Sequence, residues 1–235
     1  FGTKHALFLA ERARGTYTQV LVFENQPEIK VHAVAQSNES AVFSLDRGLT
    51  SCSVFGVRRK AGWKPEPIVS SGRYVGRTVD TRSGGDLFVL AIQEGPCAIY
   101  AIRLRDDRWE SYRLFSDITS YVGERSASAV VAPDGLHIAG KSLSADKRDL
   151  VLRCVTPEGA ASGEWPVADG RIDFSPDSQW LCYLAEAPGT DRRQDKRAIR
   201  RINGTEEHVV YSFGERFTED RAYIGWVVAG DQESA

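Results

Sequence analysis

The sequence of 235 residues contains no methionine and no long apolar run. A transmembrane helix needs roughly 18 or more consecutive apolar residues, and no stretch of this chain approaches that length. The first residues, FGTKHALFLAERARG, also lack the apolar core of a signal peptide. We therefore expect a soluble chain without a membrane span. Because it starts at Phe1 without an initiator methionine, we expect either a processed chain or a piece of a longer one.

Neither sign of charge dominates, since 30 Lys and Arg residues stand against 32 Asp and Glu residues. Nothing global attracts the chain to nucleic acid or to an anionic membrane, so any charge preference has to be local. The four cysteines show no CxxC or Cys/His spacing of the kind that zinc sites use. We therefore predict neither a metal nor a cofactor.

Local catalytic signatures are missing too: the sequence has no G-x-S-x-G elbow and no H-E-x-x-H pair. One nucleotide-binding pattern is present, because GLHIAGKS at residues 135–142 matches G-x-x-x-x-G-K-[ST]. A phosphate loop needs a strand that ends at the first glycine and a helix that begins at the lysine. The sequence around the match decides whether that context exists.

What the sequence does contain is a repeat of about 45 residues. The segments SAVVAPDGLHIAGKSL and RIDFSPDSQWLCYLAE share one pattern: an apolar strand, a Pro-Asp turn and a second apolar strand. Pro133 and Pro176 preset the backbone of the turn, and the side chains of Asp134 and Asp177 are suited to accept hydrogen bonds from its N–H groups. GLHIAGKS then falls in a second strand with no helix after it, so we attribute the phosphate-loop match to chance.

Weaker copies of the pattern, VHAVAQSNESAVFSL and YVGRTVDTRSGGDLFVLAIQ, precede these two, and a third and usually a fourth short strand follow each copy. Four short strands per repeat are typical of a β-propeller blade. The N-terminal segment has the pattern of second and third strands, and RAYIGWVVAGDQESA that of an innermost strand. We therefore predict an all-β fold, a single β-propeller of five four-stranded antiparallel blades closed by its terminal strands. The blades are residues 31–72, 73–118, 125–170, 171–216 and a composite of 221–235 with 1–29; the alternative is an arc of a larger propeller.

The segments FSPDSQWLCYLAE and VAPDGLHIAGKS resemble the PD40, or WD40-like, repeat of TolB-type propellers. This repeat also builds the propeller domains of prolyl-oligopeptidase-like serine peptidases. The resemblance implies a turn-shaping role for the Pro-Asp pairs and no catalytic role. A peptidase of that family carries its triad on a separate domain, so an accessory substrate-gating propeller is one alternative function. A carbohydrate-active propeller that uses channel carboxylates, with Asp80 and Asp173 as candidates, is another.

One cation stands near the start of each predicted innermost strand. In a propeller these positions surround one mouth of the central channel, where five cations would focus positive potential on an anionic ligand. The five are Lys30, Arg73, Arg125, Arg171 and Arg221. The alternative is local ion pairing, because an acid precedes four of them: Glu28, Glu124, Asp169 and Asp220.

A second basic feature is the segment DRRQDKRAIRR, which we predict to be a hairpin connection between second and third strands on the same face. Its cations are Arg192, Arg193, Lys196, Arg197, Arg200 and Arg201. A solvated charge run is the alternative. No aromatic residues alternate with the cations for base stacking, so nucleic acid is the weaker choice of partner. We predict a non-catalytic recognition or scaffold propeller that binds an acidic protein or peptide segment, or a small anionic ligand.

The cysteines bear on the compartment. Cys52 and Cys97 occupy equivalent places in adjacent predicted blades, where sheets lie about 10 Å apart, too far for a disulfide. Unpaired thiols favour an intracellular location, whereas the resemblance to TolB-type proteins implies the periplasm. Both locations stay open.

Overall fold

The computed structural model describes residues 4–11, 16–24, 28–34, 39–46, 52–72, 74–80, 87–93, 97–116, 129–144, 149–168, 170–185, 196–212 and 226. Strands make up most of this part of the chain. They are β1 (Lys4–Glu11), β2 (Thr16–Glu24), β3 (Glu28–Val34), β4 (Ser40–Asp46), β5 (Cys52–Arg58), β6 (Glu66–Gly72), β7 (Tyr74–Asp80), β8 (Leu87–Gln93), β9 (Cys97–Arg105), β10 (Arg108–Ser116), β11 (Ala129–Val131), β12 (Ile138–Leu143), β13 (Leu150–Val155), β14 (Ala161–Pro166), β15 (Asp173–Phe174), β16 (Trp180–Ala185), β17 (Lys196–Arg201) and β18 (Glu207–Ser212).

These strands form four sheets of four strands and one pair. The four-stranded sheets are the antiparallel meanders β3 to β6, β7 to β10, β11 to β14 and β15 to β18, and β1 pairs with β2. The first strands lie side by side, because β3 contacts β7, β7 contacts β11, and β11 contacts β15. Sheets of this kind, arranged with their first strands innermost, are the blades of a propeller. The predicted all-β propeller of four-stranded antiparallel blades is confirmed.

The closing blade is only partly described. Of the predicted innermost strand in residues 221–235, only Trp226 belongs to the described residues. Closure by the terminal strands and a count of five blades therefore stay predictions. Among the described residues, no helix has the length and apolar character needed to cross a membrane.

The two Pro-Asp turns have the predicted geometry. Asp134 Oδ1 accepts a hydrogen bond from the N–H of Leu136 at 2.8 Å, and Asp177 Oδ1 accepts one from the N–H of Gln179 at 3.0 Å. The turns also contact each other, since the N–H of Asp134 donates to Ser178 Oγ at 3.0 Å. The pairs therefore shape the turns and join one blade to the next.

The segment that matches the phosphate-loop pattern is a strand, as predicted. Its second half lies in β12, where Lys141 pairs with Leu152 of β13 in an antiparallel ladder. No helix begins at Lys141, so its backbone cannot surround a phosphate in the manner of a phosphate loop.

The apolar core lies between successive sheets. Val54 of β5 packs in one cluster with Leu90 of β8, and Leu152 of β13 packs in another with Leu181 of β16. Cys154 belongs to the second cluster as a buried free thiol, and burial raises its pKa to about 12. Cys52 and Cys97 begin β5 and β9, but their side chains lie outside the described set, so their unbridged state stays a prediction.

Candidate functional site

The segment that joins β14 to β15 is described at residues 167–168 and 170–172, and its first two residues bond to both neighbouring blades. The N–H of Val167 donates to the carbonyl of Leu150 in β13 at 3.1 Å. The N–H of Ala168 donates to the carbonyl of Leu184 in β16 at 2.9 Å. Residues 167 and 168 are thus tied to the blade before the connector and to the blade after it.

Two buried cations donate to consecutive carbonyls of this connector. Lys141 Nζ donates to the carbonyl of Gly170 at 2.8 Å, and Arg197 Nη1 donates to the carbonyl of Arg171 at 2.8 Å. Lys141 is 0% exposed and Arg197 is 6% exposed. Burying a cation is costly unless hydrogen bonds compensate for the lost water. Both side chains use such bonds to hold one short piece of backbone.

Arg171 adds a third cation, and its side chain is exposed. We call Lys141, Arg171 and Arg197 the connector cluster. Arg171 belongs to the predicted channel-mouth ring and Arg197 to the predicted basic segment, so one hydrogen bond joins members of the two predicted sites. Lys141 is not among the predicted site residues, because the only motif that contains it is the chance match to a phosphate loop. A lysine inside the apolar strand LHIAGKSL was the signal that could have found it.

The electrostatics near the cluster are mixed. Cys182 lies directly opposite Asp173 in the β15–β16 pair. Burial raises the pKa of the Cys182 thiol, the positive charge of Arg197 opposes that rise, and the charge of Asp173 adds to it. The pKa of this thiol therefore depends both on the carboxylate of Asp173 and on the buried guanidinium of Arg197. The Nε of Arg197 is also buried, without a hydrogen-bond partner in the part of the chain that the structure describes.

For residues 196–201 the predicted placement of the basic segment in a hairpin connection is wrong. Lys196, Arg197, Arg200 and Arg201 form the strand β17 itself and not a connection. The strand ladder fixes their environments: Arg197 is buried, whereas Arg200 donates to Glu207 Oε2 and lies 5.3 Å from the centre of the Trp165 ring. Arg201 pairs with Glu206 at 3.9 Å. Two of the cations are thus neutralised by glutamates, and Arg192 and Arg193 lie outside the described residues.

The predicted ring is only partly within the described residues. Lys30 lies third in β3 and its side chain is not described, while Arg73, Arg125 and Arg221 fall outside the described part. Arg171 stands five residues before Pro176, whereas Arg125 stands eight residues before Pro133. Counted back from the Pro-Asp turn of its own blade, Arg125 therefore occupies a different position from Arg171. The ring as a whole stays a prediction.

The two candidate channel acids lie opposite equivalent positions in the second strands of their sheets. Asp80 pairs with Val89, the third residue of β8, and Asp173 pairs with Cys182, the third residue of β16. The side chain of Asp80 is not described. Among the described residues, no group of three or more His, Cys, Asp or Glu side chains has an arrangement that could hold a metal ion.

Comparisons with known proteins concern the fold. No family model matches the sequence, and a search of the curated proteins also finds no match. Among solved structures, the chain is similar to TolB from Acinetobacter baumannii, with 15% identity, 86% of this chain and 47% of that chain covered, and a TM-score of 0.41. It is also similar to a chain from a structural and mechanistic study of two prolyl endopeptidases, with 10% identity, 93% of this chain and 34% of that chain covered, and a TM-score of 0.49. A third similar structure is the β-propeller domain of Cps50 (Swd1) from Myceliophteria thermophila, with 11% identity, 93% of this chain and 63% of that chain covered, and a TM-score of 0.42.

The chain therefore spans less than two thirds of the length of each of these three structures. Similarities at this level carry no conclusion about an activity. The finer PD40 assignment continues to depend on the resemblance of the Pro-Asp segments.

Proposed function

We propose that the chain is a non-catalytic recognition propeller that binds an acidic segment of a partner protein at the connector cluster. The observation that carries the proposal is the hydrogen bond from the buried Arg197 Nη1 to the carbonyl of Arg171, at 2.8 Å. It fixes the backbone of an exposed arginine beside a second buried cation, Lys141, which holds the neighbouring carbonyl. An arginine on a fixed backbone loses less conformational freedom when it binds a carboxylate.

Burial of two of the three cations strengthens their effect at the surface. Charges inside a protein are screened less by water and salt than exposed charges are. Lys141 and Arg197 each place a positive charge against the backbone of residues 170 and 171, although neither side chain is exposed. Arginine is also the side chain best suited to bind a carboxylate through two parallel hydrogen bonds. A small carboxylate ligand would use the same chemistry as an acidic side chain.

Binding of a fluorescein-labelled peptide of alternating Asp and Glu residues, followed by fluorescence anisotropy, tests the proposal. We expect R171A to weaken binding by roughly tenfold, the loss typical of a charge-assisted hydrogen bond. The matched control is R201A, which removes an exposed arginine of β17 that pairs with Glu206. Free citrate as a competitor separates a peptide site from a small-anion site.

Two results would contradict the proposal: equal binding by R171A and the unaltered chain, or an equal loss in R171A and R201A. A peptide of Asn and Gln with the same length reports binding that does not depend on charge. The affinity for the acidic peptide should also fall steeply with added salt, because the contact is between exposed charges.

An accessory propeller that gates substrate entry to a serine peptidase is the alternative function. It requires a hydrolase domain with a G-x-S-x-G elbow in the native protein. The full-length native sequence shows whether such a domain is present, and this distinguishes the gating function from recognition of an acidic segment.

A further inference from the structure

The turn between β17 and β18 contains the one Asn-Gly pair of the sequence, Asn203 and Gly204. The start of the turn is fixed, because Ile202 is 2% exposed and its N–H donates to the carbonyl of Gln179 at 3.0 Å. Residues 203–206, which form the tip, are all exposed. Water therefore reaches both the side chain of Asn203 and the peptide bond that follows it.

The two groups of this pair that are able to react with each other are weakly held. Within the part of the chain that the structure describes, no residue forms a hydrogen bond with the side chain of Asn203. The N–H of Gly204 donates to the carbonyl of Arg201 at 3.4 Å, which is longer than the usual distance of about 2.7–3.2 Å. The fold therefore restrains neither the side-chain amide nor the backbone nitrogen after it strongly.

We propose that Asn203 is a site of spontaneous deamidation in the folded protein. The backbone nitrogen of Gly204 gives up its proton and attacks Cγ of Asn203, so that a succinimide ring forms and the side-chain nitrogen leaves as ammonia with that proton. Water then opens the ring at either carbonyl and yields aspartate or isoaspartate. In sum, one water is consumed and one ammonia is released. Glycine favours the attack because it has no Cβ that hinders the approach to its nitrogen.

The Pro-Asp turn at Asp134 is a comparable pair in which the same groups are held firmly. Asp134 is also followed by glycine, but its Oδ1 accepts a hydrogen bond from the N–H of Leu136 at 2.8 Å. The N–H of Gly135 donates to the carbonyl of Ala132 at 2.9 Å. Both groups that would form a succinimide are therefore engaged, and a carboxylate is also a poorer electrophile than an amide. The groups of the Asn203 pair are restrained less.

Deamidation changes the charge of the hairpin tip. A carboxylate replaces a neutral amide, so the formal net charge of the chain goes from −2 to −3. The new carboxylate lies close in sequence to Arg201, whose Nη1 is 3.9 Å from Glu206 Oε2. Isoaspartate also lengthens the main chain of the turn by one methylene. Both products are therefore acidic forms that ion exchange separates from the unaltered chain. The inference is independent of the proposed function, because the connector cluster contributes no residue to this tip.

Incubation of the native chain at neutral pH, followed by peptide mapping with mass spectrometry, measures the rate of deamidation at each asparagine. The sequence supplies internal controls, since Asn25 is followed by Gln26 and Asn38 by Glu39. We expect Asn203 to convert at least roughly tenfold faster than either, because both of those following residues carry a Cβ. Equal rates at the three asparagines, or conversion of Asn203 only after unfolding in urea, overturn the proposal.

The variant G204A tests the mechanism in an unchanged fold. A Cβ at position 204 would meet its nearest atom, Arg201 Cβ, at an ordinary 3.7 Å, so alanine fits the turn. We expect G204A to slow the reaction of Asn203 at least roughly tenfold, because the added methyl group hinders the attacking nitrogen. A methyltransferase specific for isoaspartate should label the aged native chain but not aged N203Q. If G204A deamidates as fast as the unaltered chain, the succinimide route is refuted.

Discussion

A close approach between two blades allows a sharp test of how the sheets pack. Gly56 lies in β5 and Trp109 in β10, and a Cβ atom at position 56 would stand 2.1 Å from Trp109 Cε2. Ordinary carbon–carbon contacts are about 3.5 Å or longer, so in G56A the indole has to move by roughly 1.4 Å. The ring is not free to do so, because its centre lies 5.9 Å from that of Phe88 and it packs against a buried cluster.

Overpacking of this kind costs about 1–3 kcal/mol. For a chain of this size that corresponds to a fall in Tm of roughly 2–12 °C in a thermal scan followed by circular dichroism. The matched control is G204A, because a Cβ there would meet its nearest atom at an ordinary 3.7 Å. We expect G204A to change Tm little.

A double variant separates the clash from other effects of the substitution. In the W109A background the ring is absent, so G56A should be neutral or stabilise the fold by up to about 1 kcal/mol, as alanine is favoured over glycine in a strand. If G56A costs the same with and without Trp109, the contact between these two sheets is not as described.

Two further predictions concern the connector and a Pro-Asp turn. R197M should leave the free energy of unfolding within about 1–2 kcal/mol of the unaltered chain, because it removes a buried unpaired Nε as well as a hydrogen bond. It should nevertheless weaken binding of the acidic peptide; unchanged binding would contradict a role for Arg197 in holding Arg171. Asp177 has a pKa below its usual 3.8 because it accepts hydrogen bonds from the Ser175 hydroxyl and from the N–H of Gln179. Its contribution to stability is therefore present above pH 3.8 and lost as the pH falls through the lowered value, so the urea midpoints of D177N and the unaltered chain should converge as the pH falls below 3.8.

The turns could be predicted from the sequence because all their interactions are local. Asp134 binds the N–H two residues further along the chain, and Asp177 does the same. Such a bond depends on residue type and spacing alone, which a sequence displays directly. The repeat of the Pro-Asp pattern then fixed the order of the strands around it.

The connector cluster could not be predicted in the same way. The carbonyl that Lys141 binds is 29 residues away in the sequence, and the carbonyl that Arg197 binds is 26 residues away. In KRAIRR the two apolar residues are adjacent, so the sequence lacks the alternation that marks a half-buried strand. The charges therefore predict a hairpin connection, whereas the sheet buries Arg197 and pairs Arg200 with Glu207.

The sheet topology explains why the two predicted basic features meet. β15 and β17 run in the same direction with β16 between them, so their first residues lie at the same end of the sheet. Arg171 comes just before β15 and Arg197 is the second residue of β17. Arg171, next to the first strand of the blade, and Arg197, at the start of its third strand, therefore lie at the same end of the sheet. Since one of them holds the backbone of the other, we expect their substitutions to be non-additive in peptide binding.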